Sequence, residues 1–343
     1  MKFVAVLYPA PVEAHDDRSG LPLLGSADRE LGLRPLLESR GHELVSVTDQ
    51  GDELRGHLTD ADVLITTPFW PAYVGRAELD AAERLRLVLT AGVGSDHIDT
   101  DAAAERGITV AEVTGSNVVS VAEHAVMQLL ALVRNFVPAY QQVVDGRWDV
   151  ADVAAEAHDI EDKTVGIVGM GQIGQRIALR LQPFDVHVRY NSRSRRSTAE
   201  EAVFGARYRD LDDLVAQSDA IVLSCPLTPE TRGLFGPQRL GAMRPGAWLV
   251  NIARGQVVDR DAVVEALRSG QLGGYAGDVW YPQPPGSDHP WRSMPKHALT
   301  PHVSGTTLEA QQRYASGVQD SITRFLDGQE PKPEYVVVRG ERN

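Results

Sequence analysis

Short β-branched runs alternate with helix-like segments along the first third of the chain. From Lys2 to about Val113 the strand-like runs are KFVAVLY, HELVSVT, ADVLITT, RLVLTAG and ITVAEV, separated by segments such as ADRELGLRPLLESRG and DTDAAAERG. Alternation at this spacing indicates βαβ units and therefore a parallel sheet.

A second alternating series begins at Thr164. Its strand-like runs are TVGIVG, HVRYN, AIVLSC, AWLVNI, GGYAGDVW and ALTPHV, with the helical segments QIGQRIALRLQ and DRDAVVEALRSG between them. The pattern as a whole predicts an α/β protein with two doubly wound parallel-sheet domains.

Two longer helices are predicted at the joints between these series, near 119–136 and 306–328. Ser116 or Asn117 is the expected cap of the first helix. That helix, VSVAEHAVMQLLALVRNF, is apolar over more than one face, which favours burial between domains or between subunits.

Composition limits the classes of partner. The 343 residues allow two domains, and 34 Lys+Arg against 47 Asp+Glu give a formal net charge of −13. This balance argues against a nucleic acid or an anionic membrane as partner, but not against a small anionic substrate. The lone Cys225 excludes an internal disulfide, and neither a signal peptide nor a spanning segment is recognisable, so we expect a cytoplasmic protein.

The strongest local motif is a glycine-rich turn between a predicted strand and a predicted helix. It reads Gly169-Met170-Gly171-Gln172-Ile173-Gly174, directly after TVGIV. Such a string alone is a weak signal that a simple turn also explains, but its position between a strand and a helix makes it the fingerprint of a dinucleotide site. The first Gly permits the tight turn, the second admits the pyrophosphate, and the third lets helix and strand pack closely.

The end of the next strand indicates which dinucleotide binds. A site specific for NAD places Asp or Glu there to accept from the ribose 2′-hydroxyl. Here the chain reads Asn191-Ser192-Arg193-Ser194-Arg195-Arg196, without a carboxylate. Ser192 and Arg193, with Arg195 or Arg196, suit a 2′-phosphate, so NADP is favoured over NAD. The alternative is a solvated basic turn that tolerates NAD.

Three further patches carry reactive side chains at expected strand ends, where ligands of open α/β sheets bind. They are NIARG (251–255), GDVWYPQP (277–284) and TPHVSG (300–305). Arg254 and His302 are the candidate catalytic groups. Arg254 could instead be a structural Arg paired with Asp278, and His302 could be a core His.

Other reactive side chains give weaker signals. Cys225 suits a buried small side chain better than a nucleophile. The run GSDH (94–97) cannot form a through-space relay from adjacent residues, so we interpret it as a loop that caps a helix at Thr100. The spacing of His289, His297 and His302 matches no usual ligand pattern, and no metal is expected.

In this order the motifs resemble the D-2-hydroxyacid dehydrogenase superfamily over essentially the whole chain. Members of that superfamily use an Arg, an acid and a His, and the position of the acid holds Gln283 here. PFWPAY (68–73), PQP (282–284) and TPHVSGTT (300–307) are similar to the NAD(P)-dependent, metal-free formate dehydrogenases. The chain departs from that pattern at Ile252, where the family often has Thr, and at 114–116, which replaces a bulkier run.

The resemblance implies a domain division and a set of site residues. Residues 1–117 with 305–343 form a flavodoxin-like substrate domain, and 118–304 form the Rossmann cofactor domain. Arg254 binds the formate carboxylate, Asn117 donates to it, and Gln283 orients His302. The implied pocket is lined by Pro68, Phe69, Val93 and Gly94. The implied cofactor residues are Gly169, Gly171, Gln172, Ile173, Gly174, Ser192, Arg193, Pro226, Thr231, Ile252, Arg254, Asp278, His302 and Ser304. Relatives form homodimers through the region 119–136, so a homodimer is expected.

The chemistry of formate explains the Gln. Oxidation of a hydroxy acid releases a proton and needs a base, whereas formate loses only a hydride and gives carbon dioxide. A carboxylate beside His302 would raise the His pKa and repel an anionic substrate, and Gln283 avoids both effects. Two other functions stay open: a dehydrogenase for a D-2-hydroxy acid, a 2-keto acid or another small oxyanion, and a nucleotide-sensing binding protein.

Overall fold

The chain divides into two compact units, each built on a parallel sheet flanked by helices. The computed structural model describes residues 1–9 and 24–340. One unit comprises Met1–Asn117 and Gly305–Asn343, and the other comprises Val118–Ser304. The predicted fold class is confirmed.

The first unit is flavodoxin-like. Among its described residues the sheet has the order β13-β5-β4-β3-β1-β2, with β13 antiparallel to β5. Its strands are β1 Lys2–Val6, β2 Glu43–Val47, β3 Val63–Thr66, β4 Leu87–Thr90, β5 Thr109–Glu112 and β13 Val336–Val338. Its helices are α1 Leu33–Glu38, α2 Asp52–Leu58, α3 Arg76–Ala81, α4 Thr100–Glu105 and α13 Leu308–Leu326.

Burial on both faces explains why the strands of this unit are apolar throughout. Phe3 and Ala5 of β1 belong to one hydrophobic cluster, whereas Val4 and Val6 belong to a second cluster on the opposite face. Every residue of β3 and β4 is buried. Helices that cover both faces of a parallel sheet produce this pattern.

The second unit is a Rossmann domain with the strand order β12-β11-β10-β9-β6-β7-β8. Its strands are β6 Thr164–Val168, β7 His187–Asn191, β8 Ala206–Tyr208, β9 Ala220–Leu223, β10 Ala247–Asn251, β11 Leu272–Gly277 and β12 His297–Leu299. Its helices are α5 Val118–Val133, α6 Phe136–Val144, α7 Val150–Ala154, α8 Gln172–Leu181, α9 Thr198–Phe204, α10 Leu211–Gln217, α11 Pro237–Gly241 and α12 Arg260–Arg268. The order reverses between β6 and β9, which is where such sheets bind dinucleotides.

The structure corrects three local predictions. The helix predicted over 119–136 ends at Val133, and a new helix starts at Phe136, because Asn135 adopts a left-handed conformation (φ 51°, ψ 38°). The last predicted strand stops at Leu299, so His302 lies in a loop. The cap of α4 is Asp99 rather than the loop 94–97. The Asp99 side chain accepts from the Ala102 N–H.

Within 1–9 and 24–340, no helix is long and apolar enough to cross a membrane.

Candidate active site

The glycine turn after β6 has the shape that a dinucleotide needs. Gly169 has a φ of 104°, and a Cβ on it would lie 2.7 Å from the Cys225 nitrogen. A Cβ on Gly174 would lie 2.1 Å from the Gly169 oxygen, so neither position accepts a side chain. A Cβ on Gly171 would meet nothing within 4 Å. This open space, at the start of α8, fits the approach of a pyrophosphate to the helix N-terminus.

The loop after β9 closes one side of this turn. The Thr231 hydroxyl donates to the Pro226 oxygen at 2.7 Å and accepts from the Thr228 N–H at 2.7 Å. Cys225 precedes this loop, and burial raises the pKa of its thiol to about 11. The thiol is therefore protonated at neutral pH, in agreement with its interpretation as a buried small side chain.

Arg254 follows β10, and the side chain of Asn251 shapes the turn that carries it. Asn251 Oδ1 accepts from the Ala253 N–H at 3.1 Å, and its Nδ2 donates to the Arg254 oxygen at 3.0 Å. Arg254 Nη1 donates to the Ala253 oxygen at 2.8 Å. Ile252, the residue after Asn251, is buried in the core at 6% exposure, so a hydrophobic side chain suits this position.

His302 and Gln283 form a hydrogen-bonded pair. The distance between His302 Nδ1 and Gln283 Oε1 is 2.9 Å. Because an amide oxygen only accepts, the hydrogen of this bond is on Nδ1. A neutral ring is then fixed in one tautomer and orientation, with Nε2 as its second polar atom.

Asp278 organises the loop that carries His302. Its carboxylate is fully buried and accepts from the Thr300 hydroxyl at 2.6 Å and from the N–H groups of Val303 and Ser304, each at 2.9 Å. His302 itself has a φ of 55°, in the left-handed region that non-glycine residues rarely adopt. A conformation of this kind persists only where neighbouring bonds hold it, and the bonds to Asp278 do so.

Two residues of α5 that the sequence analysis missed bond to the same loop. His124 Nε2 lies 3.0 Å from the Thr300 hydroxyl, and Gln128 Nε2 donates to that hydroxyl at 3.2 Å. Since Thr300 gives its only hydrogen to Asp278, it accepts from both. Burial lowers the pKa of His124, and the charge of Asp278 opposes that shift. The signal in the sequence is their spacing of four, which puts both on one face of the helix.

In the first unit, the residues predicted for the pocket lie on loops after neighbouring strands. Pro68 and Phe69 follow β3, Val93 and Gly94 follow β4, and Asn117 comes after β5. A Cβ on Gly92, whose φ is 142°, would lie 2.9 Å from the Pro68 ring, so the first two loops are in direct contact.

Asn117 is 5% exposed, and a Cβ on Gly305 would lie 2.6 Å from its Nδ2. Its Oδ1 is buried without a hydrogen-bond partner among the residues that the structure describes. The ring of Phe69 packs at 5.9 Å from that of Tyr314. Tight packing therefore surrounds one polar amide.

Glu112, at the end of β5, was not singled out by the sequence analysis. Its Oε2 accepts from the Gly94 N–H at 2.8 Å and from the Ser95 hydroxyl at 3.1 Å. The carboxylate thereby fixes the loop that carries Val93. Gly94 lies 18 residues from Glu112 in the sequence, and no local pattern predicts that contact.

Among the residues with described positions, no group of three or more His, Cys, Asp or Glu side chains is placed to hold a metal ion.

Comparison with known proteins covers nearly the whole chain. Residues 126–304 match the model of the D-isomer specific 2-hydroxyacid dehydrogenase NAD-binding domain. The mitochondrial formate dehydrogenase of Solanum tuberosum is 47% identical over 345 residues, covering 99% of this chain and 90% of the relative. A solved formate dehydrogenase of Granulicella M. superposes with a TM-score of 0.96 at 40% identity and 100% coverage of both chains. An NAD-dependent formate dehydrogenase from Staphylococcus aureus, in complex with NAD, gives 0.92 at 46% identity, covering 99% of this chain and 100% of that one.

Proposed function

The chain belongs to the D-isomer-specific 2-hydroxyacid dehydrogenase family and, within it, to the formate dehydrogenases, and on this premise we propose that it oxidises formate to carbon dioxide with NADP⁺ as its preferred acceptor. The C–H bond of formate breaks, and both of its electrons leave with the hydrogen as hydride. The remaining atoms are carbon dioxide, so no proton is released. A bound nicotinamide ring supplies the carbon that accepts the hydride.

The chain's own groups bind and orient the anion. Arg254 offers two parallel N–H donors to the formate carboxylate, which suits a planar bidentate anion. His302 adds a polar contact whose direction is fixed by Gln283. Asn117 as a donor, and Val93 as a wall, stay predictions from the resemblance. The work of these residues is positioning and electrostatics, because the reaction requires no base.

The observation that carries the proposal is the bond between His302 Nδ1 and Gln283 Oε1 at 2.9 Å. A neutral amide oxygen orients the ring without placing a negative charge beside it. An enzyme that must take a proton from a hydroxyl gains from a carboxylate at this position, whereas one that binds formate gains from its absence.

NADP⁺ as preferred acceptor rests on the end of β7. Ser192 follows the strand, and its hydroxyl donates to the Ser194 oxygen at 2.8 Å. Ser192 carries no carboxylate that would repel a 2′-phosphate, and the exposed Arg193 follows it directly. NAD⁺, the cofactor of the Staphylococcus aureus relative, fits the same glycine turn and is expected to react more slowly.

The direct test measures reduced nicotinamide by absorbance, with formate and either cofactor, in the wild type and in Ser192→Asp. We expect turnover with both cofactors, a higher kcat/KM with NADP⁺, and a shift toward NAD⁺ in the variant. Absence of turnover with formate, or glyoxylate reduction faster than formate oxidation, would falsify the substrate assignment. A wild type that prefers NAD⁺ overturns the cofactor assignment alone.

We also propose a homodimer, supported by an apolar surface on the second unit. Phe136, Tyr140, Val143, Val144, Trp148 and Val150 are all between 57% and 84% exposed. Exposed apolar residues grouped along α6, the turn after it and the start of α7 are typical of a protein interface. Most apolar residues of α5 are buried within the unit, so the proposed contact lies over 136–150 rather than 119–136.

Light scattering coupled to size exclusion tests the dimer with the double variant Tyr140→Ser, Trp148→Ser. A monomer is expected from this variant and a dimer from the control Val203→Ser, whose side chain is 63% exposed elsewhere. A wild-type monomer contradicts the proposal.

A cytoplasmic location also stays a proposal, which rests on the single cysteine.

A further inference from the structure

We propose that Arg196, and not its neighbour Arg195, is the cation that completes the 2′-phosphate site, and that it does so while bonded to the glycine turn after β6. This inference rests on the proposed preference for NADP⁺. It names the residue on which that preference depends.

The side chains of the two adjacent arginines run to different partners. Arg195 donates from Nε and Nη2 to the two carboxylate oxygens of Glu201, at 2.9 and 3.2 Å. Its guanidinium also lies 5.8 Å from the ring centroid of Tyr208. The charge of Arg195 is thus already matched by a bidentate partner, which makes it a poor second ligand for a phosphate.

Arg196 crosses instead to the glycine turn. Its Nε and Nη2 donate to the Met170 oxygen at 3.1 and 2.6 Å. Met170 lies between the first two glycines of the dinucleotide motif, and its side chain is buried. The guanidinium therefore connects the loop after β7 to the loop after β6.

The backbone of Arg196 is also fixed. Its N–H donates to the Tyr190 hydroxyl at 2.8 Å, and that hydroxyl donates to Glu201 at 2.9 Å. Tyr190 is fully buried, and Glu201 is 8% exposed. The ion pair of Arg195 with Glu201 thus supports the loop from which Arg196 extends, so the two arginines have separate tasks.

The position and the remaining donors of Arg196 suit a phosphate. β6 and β7 are neighbours with Val168 opposite Asn191, and the ribose 2′ substituent of a dinucleotide meets the loop that follows the second of these strands. A guanidinium has five N–H donors, and two of those of Arg196 go to Met170. Its Nη1 forms a long ion pair with Glu200, at 4.0 Å and beyond hydrogen-bond distance, whereas Arg195 is bonded to both oxygens of Glu201. Nη1 can therefore donate to a phosphate without breaking the bonds to Met170.

Arg193 alone is a weaker ligand. It is exposed, and its charge acts on a neighbouring carboxylate: hydrogen bonds from Thr228 and from the backbone, and then the charge of Arg193, lower the pKa of Glu230. An arginine held in place loses less freedom on binding than an exposed one, and a held donor therefore contributes more to affinity. This difference is the reason to assign the larger effect to Arg196.

The test is calorimetric binding of adenosine 2′,5′-bisphosphate and of 5′-AMP, two fragments that differ only in the 2′-phosphate. The proteins are the full-length wild type, Arg196→Gln, Arg196→Lys and the matched control Arg195→Gln. We expect Arg196→Gln to weaken the bisphosphate about 10- to 100-fold, the range for loss of a charged hydrogen bond, and AMP by less than about threefold. Arg196→Lys should recover part of the difference, and Arg195→Gln, which removes only a support of the loop, should weaken the bisphosphate less than Arg196→Gln does. Circular dichroism and thermal unfolding verify that each variant is folded.

Two outcomes contradict this assignment alone: a bisphosphate affinity that depends on Arg195 but not on Arg196, and an equal loss of both ligands in Arg196→Gln, which indicates a purely structural role. In both, a wild type that binds the bisphosphate more tightly than AMP leaves the NADP⁺ preference standing. Equal binding of the two ligands by the wild type overturns the preference and this assignment together.

Discussion

The candidate residues of the two units are held by different forces. In the second unit His302 is bonded to Gln283, and the buried carboxylate of Asp278 fixes the loop after β12 that carries His302. In the first unit the loops of Pro68 and Gly94 are shaped by close packing and by one carboxylate that accepts from a backbone N–H. Substitutions that change charge should therefore matter most in the second unit, and those in the first should act through the shape of a loop.

Removal of Arg254, the cation that we propose binds formate, should have the largest effect. Arg254→Leu removes both of the charged hydrogen bonds that we propose between Arg254 and formate, each worth about 1.5–3 kcal/mol, so kcat/KM for formate should fall about 1000-fold. Steady-state kinetics at saturating cofactor measure it. Arg260→Leu, at an exposed position at the start of α12, is the control and should stay within about twofold. A loss below tenfold in Arg254→Leu contradicts the assigned role.

The loop of His302 should be nearly as sensitive. Asp278→Asn replaces one acceptor oxygen by an NH₂ group, which then faces a backbone N–H of Val303 or Ser304. A buried donor left unpaired costs about 1–3 kcal/mol, so we expect kcat/KM to fall about 100-fold together with a lower thermal unfolding midpoint. Asp261→Asn, whose side chain is 71% exposed, should change neither quantity. Unchanged kinetics would show that the loop keeps its conformation without this carboxylate.

Gln283→Glu tests the neutral partner of His302 by its effect on pH dependence. The new carboxylate should raise the His302 pKa, and below that raised value the pair is neutral overall, as it is with Gln. Above it the pair carries one negative charge, so kcat/KM for formate should fall as pH rises, about tenfold across the transition. Glyoxylate reduction should increase in the same variant, since the pair can now supply a proton. Gln283→Met, which has neither charge nor acceptor, should lose activity without that pH dependence. A Glu variant with the wild-type profile contradicts the electrostatic explanation.

Strands and the glycine turn could be predicted from sequence because their signals are local. The runs in both series correspond to strands of the two sheets, and the glycines lie where backbone contacts leave no room for a side chain. The strands β8 and β13 were missed, since three residues show no alternation, whereas the equally short β12 overlaps the longer predicted run ALTPHV. The break at Asn135 was missed because the apolar pattern continues across it.

The missed site residues share a physical cause. Glu112 bonds to Gly94 across 18 positions, and His124 bonds to Thr300 across 176. Contacts of this kind depend on the order of the strands in the sheet, because that order decides which loops are neighbours. No local sequence pattern predicts the strand order. The choice between Arg195 and Arg196 depended on their side-chain partners in the same way.

A smaller effect is expected in the first unit from Glu112→Gln. The amide keeps one oxygen for the Gly94 N–H but weakens that bond by removing the charge. The loop of Val93 should loosen, and the KM for formate should rise about fivefold, with kcat and the KM for NADP⁺ unchanged. Glu105→Gln, 62% exposed on α4, serves as the control. If kcat falls as strongly as in the variants of the second unit, the distinction between the two regions is wrong.

The smallest effect concerns the cost of burying a titratable group in the second unit. Burial lowers the pKa of His124, so its charged form is favoured in the unfolded chain, where the pKa is about 6.5. The unfolded state therefore takes up more protons as pH falls below that value, and the free energy of unfolding falls with it. His124→Gln should remove about 1 kcal/mol or less of this decline between pH 7.5 and 5 in urea unfolding. If the decline is unchanged in His124→Gln, the imidazole titrates alike in both states, and the polar network around Thr300 offsets its burial completely.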